Sequence, residues 1–451
     1  MELSNMHIFI SGILGAGLSS LAHFALDCGI QVTGSDSSIE SDNLNFQSLQ
    51  NRGVHILPQS DEVDYIFDID WYIHSPAIMD SHPEILFCQH NNIKVTKQNE
   101  FLNHILLKKN LKMIAIAGTH GKTTTTGMLI WIFKQLNISV SYIVGTNLSF
   151  GESGKYTDGS EYFIYEADEY NKKFLELKPY YTITTNVDFD HPDSYNSAEE
   201  YYECFAEFIP KGVVNVVYAE DLLKIGLRNT EGSYGEFRLS RSLPPFVEEI
   251  EAVNLPGRHN RENAYLCICL CKSILQDVLS KKKSTIAELF DIVSLFPGTA
   301  RRFEKLRNNL YTDYAHHPTE VKATIQMARE RIRQSDNPQS KLVVVYQPHQ
   351  NIRQHQNDIQ LGYRNCFADA DLVYWLPTYL TREDSQLEVL SPDFLASLAR
   401  RPTVAVDELG DNLVRRIQKH LDQNDMVVLM GAGSIDKFVR DKFPVDVSAN
   451  K

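Results

Sequence analysis

The sequence predicts an α/β protein with three domains and mostly parallel sheets, and two observations lead to this prediction. Short apolar runs alternate with helix-length segments, and the alternation restarts three times along the 451 residues. Two of the apolar runs continue directly into glycine-rich turns, at residues 12–17 and 118–121. Strands that alternate with helices pair in parallel, and ligands of such sheets bind beyond the carboxyl ends of the strands. We place the three domains at residues 1–109, 110–296 and 297–451.

The composition is that of a globular protein rather than a nucleic-acid-binding or membrane-embedded one. Hydrophobic residues make up 43% of the chain and charged residues 23%, and 58 acidic against 44 basic residues give a net charge of −14. A negative field of this kind disfavours non-specific binding to nucleic acids or anionic membranes. We therefore expect no nucleic-acid partner and no membrane insertion, and any phosphate ligand must be held by local amides, a few basic side chains and a metal.

The cysteines and the N-terminal segment both favour a cytoplasmic location. The seven cysteines include no CxxC pair, and Cys267, Cys269 and Cys271 lie two residues apart on a predicted helix, so they do not share one face. Buried, reduced thiols are therefore expected rather than a metal site. Residues 8–22 are apolar, but glycines interrupt them and no Lys or Arg precedes them, which is unlike a signal peptide.

The first domain opens with a strand at residues 7–11 that leads into a glycine turn, and the next strand is predicted at residues 31–35. The residues that carry the pattern are Gly12, Gly15, Gly17 and Asp36. They resemble a dinucleotide-binding fingerprint, but the order is GxxGxG rather than GxGxxG. An NAD-dependent oxidoreductase is therefore weakly supported, whereas the same turn suits any diphosphate, including that of a UDP-sugar.

The strongest chemical signal is a glycine-rich loop between a buried strand, at residues 112–117, and a predicted helix. The loop and the first helical turn read GTHGKTTTT, at residues 118–126. Backbone N–H groups of such a loop point at a phosphate, Lys122 can reach the terminal phosphates, and Thr123 can ligate Mg²⁺. Because Ile116 stands where the GxxxxGK[ST] motif has its first glycine, the alternative is an ordinary helix N-terminus that contains Gly-Lys-Thr.

Two polar clusters follow the next apolar runs of the central domain. Glu166, Asp168 and Glu169 come at the end of one run, and adjacent carboxylates repel each other unless a cation is nearby. Beside a phosphate loop, Mg²⁺ that bridges ATP and a second substrate explains them better than a solvated acidic turn does. His191 follows the next run, where it can ligate a second Mg²⁺ or bond a phosphate.

Polar residues of the third domain also follow predicted strands. The strands are expected at residues 310–314, 341–346, 371–376 and 426–430. The polar residues are Arg301, Arg302, Glu304, Arg353 and the stretches 313–320 and 347–349. Their position at strand ends suits an amino-acid or nucleotide site, although each residue taken singly is more often part of a surface loop.

Five motifs together resemble the Mur ligase family along the whole chain. GTHGKTTTT, EADE, NxxxDHxD, GRHNxxNA at residues 257–264, and RRFE…DYAHHPTE occur in the family's order. The resemblance implies an N-terminal Rossmann-like domain for a UDP-sugar, a central P-loop-type ATPase domain, and a C-terminal Rossmann-like domain for an amino acid. It further implies a ligase of peptidoglycan precursor synthesis, a monomer or weak dimer that uses ATP and Mg²⁺. Such an enzyme joins L-alanine to the carboxylate of UDP-N-acetylmuramate through an acyl phosphate.

The resemblance also implies roles for individual residues. The residues expected to be catalytic are Lys122, Glu169 and His191, and those expected to hold magnesium are Thr123, Glu166, Glu169 and His191. The expected ATP contacts are Gly118, Thr119, His120, Gly121, Lys122, Thr123, Thr124, Asn260, Asn263, Arg302 and Asp313. The expected UDP-sugar contacts are Gly12, Gly15, Gly17, Asp36 and Ser75, and the expected amino-acid contacts are Tyr314, His316 and Arg353.

The sequence departs from the family pattern at three places. Gln350 stands where the family has one of two arginines near the amino-acid carboxylate, and a neutral contact is weaker than a bidentate arginine. Leu14 stands where a further glycine is usual in the first turn. His74-Ser-Pro-Ala-Ile78 replaces the usual Ser-Ser-Ala-Ile. The first departure bears on which amino acid is accepted.

Three further functions are compatible with parts of the sequence. A sister ligase would attach a preformed tripeptide to the same UDP-sugar during wall recycling, and would differ in the third domain. A folate-type glutamate ligase would share the ATP loop but lack this kind of first domain. A non-catalytic regulatory protein would keep nucleotide binding but lose Lys122, Glu169 or His191, and all three are present.

Overall fold

The computed structural model describes residues 3–41, 43–60, 63, 68–75, 78–227, 235–239, 244–274, 285–359, 361–381, 383, 386–399 and 403–444. The chain divides into two compact units. The first comprises Met1–Asp188, Tyr202–Leu243 and Leu266–Phe296, and the second comprises Phe189–Tyr201, Pro244–Tyr265 and Pro297–Lys451. Three sheets confirm the predicted three-domain α/β class, whereas the domain borders after residues 109 and 296 stay predictions.

The first unit contains a five-stranded sheet in which every strand pair is parallel. Its strands are β1 (His7–Ser11), β2 (Gln31–Asp36), β3 (His55–Pro58), β4 (Trp71–His74) and β5 (Lys94–Lys97), in the order β3-β2-β1-β4-β5. The helices of this part are α1 (Ala16–Asp27), α2 (Leu44–Asn51), α3 (Pro83–His90) and α4 (Gln98–Lys108). The glycine turn after β1 therefore lies at the carboxyl edge of the sheet, next to the end of β2.

The first unit also contains a seven-stranded sheet with the order β12-β11-β10-β6-β9-β7-β8. Its strands are β6 (Lys112–Ala117), β7 (Val140–Ile143), β8 (Gly154–Lys155), β9 (Tyr162–Glu166), β10 (Tyr181–Thr184), β11 (Val214–Tyr218) and β12 (Gly235–Leu239). Only β8 is antiparallel to its neighbour among these strands. Because β6 lies between β9 and β10, the ends of all three strands meet at one edge.

The next helices along the chain are α5 (Lys122–Gln135), α6 (Ala198–Phe208), α7 (Ala219–Lys224), α8 (Pro244–Glu251), α9 (Arg258–Ile274) and α10 (Ile286–Ser294). Helix α9 carries Cys267, Cys269 and Cys271, and all seven cysteines of the chain are free and buried, as predicted. Burial raises the pKa of the Cys267 thiol well above its ordinary value, so these thiols are inert packing groups. Among the described residues, no helix is both long enough and apolar enough to cross a bilayer.

The second unit contains a six-stranded sheet with the order β13-β14-β18-β15-β16-β17. Its strands are β13 (Glu304–Arg307), β14 (Leu310–Asp313), β15 (Leu342–Tyr346), β16 (Leu372–Trp375), β17 (Thr403–Val406) and β18 (Met426–Met430). Its helices are α11 (Pro318–Arg333), α12 (Asn351–Ile359), α13 (Pro392–Ser397), α14 (Asp411–Asp422) and α15 (Ile435–Lys442). Successive residues of β15 belong to different buried clusters, Val344 to one and Val343 to the other, so both faces of this sheet are covered.

The strands that the sequence analysis did not identify are mostly at sheet edges. β3 and β17 end their sheets, and their residues are half-buried or exposed. An edge strand has neighbours on one side only, so its sequence need not show the continuous apolar run of a central parallel strand.

Candidate active site

The glycine loop after β6 has a backbone that requires glycine at two positions. Gly118 has φ of +129° and Gly121 has φ of +83°, both in the region that L side chains rarely adopt. A Cβ on Gly118 would lie 2.0 Å from Thr185 Oγ1, so the loop also passes too close to the next strand end for any side chain there. The predicted strand–loop–helix motif is therefore present, with α5 beginning at Lys122.

Lys122 is held across the loop by carbonyls and by a buried carboxylate. Its ammonium donates to the Gly118 and Thr119 carbonyls at 2.6 and 3.1 Å, and to Glu169 Oε1 at 2.9 Å. The Glu169 side chain is fully buried and that of Lys122 is 14% exposed. Burial opposes the lysine charge, but Glu169 and neighbouring carboxylates outweigh it and raise the pKa of Lys122. The ammonium is therefore charged and fixed at the loop, where it can meet a phosphate.

Thr123 and Glu166 bring a hydroxyl and a carboxylate together beside that ammonium. Thr123 Oγ1 donates to Glu166 Oε1 at 2.8 Å, and Glu166 Oε2 accepts from the Gly145 N–H at 2.9 Å. Thr123 and Glu169 are buried and Glu166 is half-buried. Hydroxyl and carboxylate oxygens are the donors that Mg²⁺ prefers, so this part of the predicted metal site has suitable chemistry. Thr124 lies half-buried on the same helix turn.

A cavity of about 580 Å³ lies within the first unit, in the size range of small-ligand pockets. Its wall includes four of the residues expected to contact the UDP-sugar, namely Gly12, Gly15, Gly17 and Ser75, together with Glu166. Asp36 is not among the described residues of the wall; its two carboxylate oxygens accept from the N–H groups of Leu14 and Ser38 at 2.9 and 3.1 Å. Pro76 and Ala77 of the third departure lie outside the described residues.

The cavity wall contains polar residues that the sequence analysis missed. They are Lys97, Gln98, Asn99, Asn171, Lys173 and Glu176. Gln98 Nε2 donates to the Tyr165 hydroxyl at 3.3 Å, and Lys173 Nζ lies 3.3 Å from Asp168 Oδ2. The signal that could have found Lys97 is its place at the end of β5, because the carboxyl ends of parallel strands face the ligand.

In the second unit, His191 lies against Arg353, which the sequence analysis expected at the amino acid. Arg353 donates to Asp190 and to His191 Nδ1, the latter at 3.1 Å, and its Nε donates to Gln350 Oε1 at 2.7 Å. Burial opposes ionisation of Asp190, but the Arg353 guanidinium outweighs it and holds the pKa of that carboxyl well below its usual range. Gln350 therefore acts as an acceptor for Arg353, a role that a second arginine at this position could not fill.

Tyr314 and His316 lie together beyond the end of β14. Their rings are 5.5 Å apart, and Arg302 lies 5.0 Å from the Tyr314 ring centre. His316 Nδ1 bonds the Tyr314 carbonyl at 3.1 Å, so Nδ1 carries the proton and Nε2 is left as an acceptor. Burial is the main cause that lowers the pKa of His316 to about 3, which keeps this imidazole neutral near pH 7.

Two further predicted ATP contacts of the second unit, Asn260 and Asp313, have protein partners. Asn260 Nδ2 donates to the Pro256 carbonyl at 3.0 Å and contacts Met327 Sδ at 3.2 Å, and Asn263 is buried one turn further along α9. Asp313 accepts from the N–H groups of Phe303 and Ala315 at 2.7 and 2.8 Å. Burial raises the pKa of Asp313 despite the opposing charge of Arg302. These contacts hold the residues in place, and their expected roles at ATP stay predictions.

Comparison with known families matches most of the chain. Residues 7–110 match the Mur ligase family, catalytic domain; residues 116–231 match the Mur ligase middle domain; and residues 301–433 match the Mur ligase, glutamate ligase domain. The three matches follow the order of the three sheets along the chain.

Individual relatives cover the chain almost completely. The UDP-N-acetylmuramate–L-alanine ligase of Lactococcus lactis subsp. cremoris (strain SK11) is 31% identical, and the match covers 95% of this chain and 95% of the relative. The structure of UDP-N-acetylmuramate-alanine ligase from Thermotoga maritima, 24% identical, covers 97% of this chain and 98% of its own with a TM-score of 0.71.

A murein peptide ligase from Psychrobacter arcticus 273-4 shares the same fold. It is 23% identical, covers 97% of this chain and 98% of its own chain, and has a TM-score of 0.63. The fold is therefore common to ligases with different second substrates. On the identity to the Lactococcus relative and the three family matches, this chain belongs to the Mur ligase family.

Proposed function

We propose that this chain is an ATP-dependent ligase that joins L-alanine to the carboxylate of UDP-N-acetylmuramate in peptidoglycan precursor synthesis. The observation that carries the proposal is the fixed Lys122 ammonium in a glycine loop, with Thr123, Glu166 and Glu169 around it. The names of the relatives, such as that of Lactococcus lactis, support the choice of substrates. The cavity beside the first glycine turn supports a bulky first substrate.

The chemistry starts from a carboxylate, which does not react with an amine at neutral pH. A carboxylate oxygen attacks the γ-phosphorus of ATP, ADP leaves, and an acyl phosphate forms. The amine nitrogen then attacks the acyl carbon, phosphate leaves, and the amine loses a proton. Lys122 offsets the charge of the transferring phosphoryl group, and the loop N–H groups orient it.

The residues present fit a magnesium ion. Thr123, Glu166 and Glu169 supply a hydroxyl and two carboxylates within one cluster, and Glu166 and Glu169 would otherwise place two like charges near each other. When bound, Mg²⁺ neutralises phosphate charge in the transition state. His191 Nδ1 accepts from Arg353, which leaves the proton on Nε2, so His191 would hold a second ion only after it released Arg353.

The amino-acid side of the proposal involves His316 and Arg353. The neutral imidazole of His316 offers Nε2 as an acceptor for the ammonium group of the amino acid. Arg353 is already paired with Asp190, which leaves it less free to clamp a substrate carboxylate than an unpaired arginine is. Because Gln350 also stands in place of the second arginine, the test of the proposal varies the amino acid.

The test is phosphate release from ATP in the presence of UDP-N-acetylmuramate and one amine substrate at a time. The amine substrates are L-alanine, glycine, L-serine and the tripeptide L-alanyl-γ-D-glutamyl-meso-diaminopimelate. We expect phosphate release equal to ADP formation with L-alanine and little with the tripeptide. Faster turnover with the tripeptide would assign the chain to wall recycling, and no amine-dependent release with any of them would contradict the ligase proposal. The cytoplasmic location and the monomer or weak dimer stay predictions.

A further inference from the structure

The segment that follows β10 holds the phosphate loop from one side. β10 pairs in parallel with β6, so the two strands end next to each other. Thr185 Oγ1 donates to the His120 carbonyl at 2.6 Å. Thr119 Oγ1 donates to the Asp188 carbonyl at 2.7 Å and accepts from the Asp188 N–H at 2.9 Å. The loop is therefore fixed to residues 185–188 by several hydrogen bonds rather than by packing alone.

Asn186 makes the most specific of these contacts, because its amide pairs with both backbone groups of His120. Asn186 Oδ1 accepts from the His120 N–H at 3.1 Å, and Asn186 Nδ2 donates to the His120 carbonyl at 2.9 Å. The asparagine side chain suits this pairing because it is short and uncharged and offers an acceptor and a donor side by side. The opposite assignment of its oxygen and nitrogen would set donor against donor, so the pairing fixes the amide orientation.

These contacts set the direction of the peptide bond between His120 and Gly121. In a trans peptide, a carbonyl and the following N–H point in opposite directions. Because the His120 carbonyl points toward Asn186 and Thr185, the Gly121 N–H points away from them. Gly121 tolerates this arrangement with φ of +83°. Its amide is at the start of α5, where the N–H groups of a helix bind phosphate.

We infer that Asn186 is a positioning residue for ATP, acting through His120 and Gly121 rather than by touching the reacting atoms. The inference rests on the proposed function, since it requires that the loop binds a nucleoside triphosphate. Without the Asn186 amide, the His120 carbonyl keeps its bond from Thr185 Oγ1, but the His120 N–H loses Asn186 as its acceptor. The loop is then held less firmly and must be ordered further each time ATP binds. ATP affinity and turnover should fall, whereas recognition of the amino acid should not change.

The experiment compares Asn186→Ala and Asn186→Asp with a matched control, Asn215→Ala, in the full chain. Asn215 is buried on β11 of the same sheet, where it accepts from Thr182 Oγ1 and donates to the Gly212 carbonyl at 3.0 Å. The measurements are binding of AMPPNP with Mg²⁺ by calorimetry, KM for ATP and for L-alanine, the thermal midpoint, and hydrogen exchange of residues 118–122.

For Asn186→Ala we expect about tenfold weaker AMPPNP binding, a similar rise in KM for ATP, and faster exchange of the His120 amide. Asn186→Asp keeps the acceptor but sets an oxygen against the His120 carbonyl, so its effect should be at least as large. It has the shape of asparagine, which keeps the test available if the alanine variant does not fold. Asn215→Ala should lower the thermal midpoint and leave KM for ATP within about twofold of the wild type.

Three negative results have different meanings. If Asn186→Ala loses thermal stability as Asn215→Ala does, but keeps AMPPNP affinity and KM for ATP, the inference is wrong. If the wild-type chain binds no AMPPNP, the proposed function fails. Hydrogen exchange of the His120 amide needs no ligand, so it still shows whether Asn186 holds the loop; unchanged exchange in both Asn186 variants would overturn the inference.

Discussion

Two glycine turns of the first unit have the same strand–turn–helix arrangement but are held by different side chains. In each, a buried strand, β1 or β6, continues through the turn into a helix. Each turn is also tied to the end of the neighbouring strand in its sheet. Asp36, at the end of β2, accepts from the Leu14 N–H, and Asn186, after β10, accepts from the His120 N–H. The two turns therefore use the same kind of support, a carboxylate in one and an amide in the other.

The difference in charge matches what each turn is proposed to hold. The second turn carries the Lys122 ammonium and lies beside Glu166 and Glu169, which suit a metal-bound triphosphate. The first turn has no lysine within it and is supported by the Asp36 carboxylate. This suits a ligand held mainly by backbone amides and a helix N-terminus.

The largest effect is expected from Lys122, whose ammonium group distinguishes the second turn from the first. Lys122→Ala should lower ligation and phosphate release by about a thousandfold or more, because charge on the transferring phosphoryl group is then left unbalanced. The control is Lys112→Ala at the opposite end of β6, where the lysine forms an exposed pair with Glu161 at 2.7 Å. Steady-state phosphate release checks both variants. Substantial turnover by Lys122→Ala would remove the basis for distinguishing the two turns.

Glycine substitutions should also separate the turns. Gly118→Ala places a methyl group 2.0 Å from Thr185 Oγ1 at φ of +129°, so the loop must move. We expect about a hundredfold loss of kcat/KM for ATP, which corresponds to about 2.7 kcal/mol. Gly15→Ala is the matched substitution in the first turn, where φ is −63° and the nearest atom lies 3.3 Å away. It should leave KM for ATP unchanged, and an equal effect of both substitutions on ATP would contradict the comparison.

Breaking the Lys122–Glu169 pair tests how much this buried ion pair stabilises the second turn. Glu169→Gln removes the carboxylate that bonds the buried Lys122 ammonium, and we expect the free energy of unfolding to fall by about 3 kcal/mol. Glu161→Gln removes the exposed partner of Lys112 and should cost less than about 1 kcal/mol. Urea unfolding of the two variants gives the comparison. Equal losses would mean that the buried pair contributes no more than a surface one.

The sequence predicted the second turn better than its surroundings. Lys122, Thr123, Glu166 and Glu169 were expected together because they follow strands of one parallel sheet, and the β6–β9 pairing brings them together. The sequence could not show that Arg353 pairs with Asp190, because the two residues are 163 positions apart and neither lies in a local pattern that indicates the contact. Such contacts depend on tertiary packing rather than on local sequence.

The first turn shows a second limit of the sequence. Asp36 was expected at the substrate from its resemblance to a dinucleotide-binding fingerprint, and that role stays a prediction. In the structure both of its oxygens accept from backbone N–H groups. Lys97 and Gln98 lie in the cavity wall, where β5 ends and α4 begins, and the sequence analysis expected neither at the substrate. A strand-end position identifies residues near the ligand edge, but it does not separate those that face the ligand from those that support the turn.

The smallest effect is expected from Asp36→Asn. The changes in KM for the two substrates show whether Asp36 supports the first turn or contacts the substrate. Asp36→Asn can accept from Leu14 or from Ser38 but not from both, so about 1 kcal/mol of support is lost. We expect KM for UDP-N-acetylmuramate to rise by about fivefold at most and KM for ATP to stay constant, the reverse of the expectation for Asn186. Steady-state kinetics with each substrate varied in turn measures both constants. A rise of more than about a hundredfold for the UDP-sugar would show that the carboxylate itself touches the substrate, because the loss of a charged contact costs more than the loss of a supporting one.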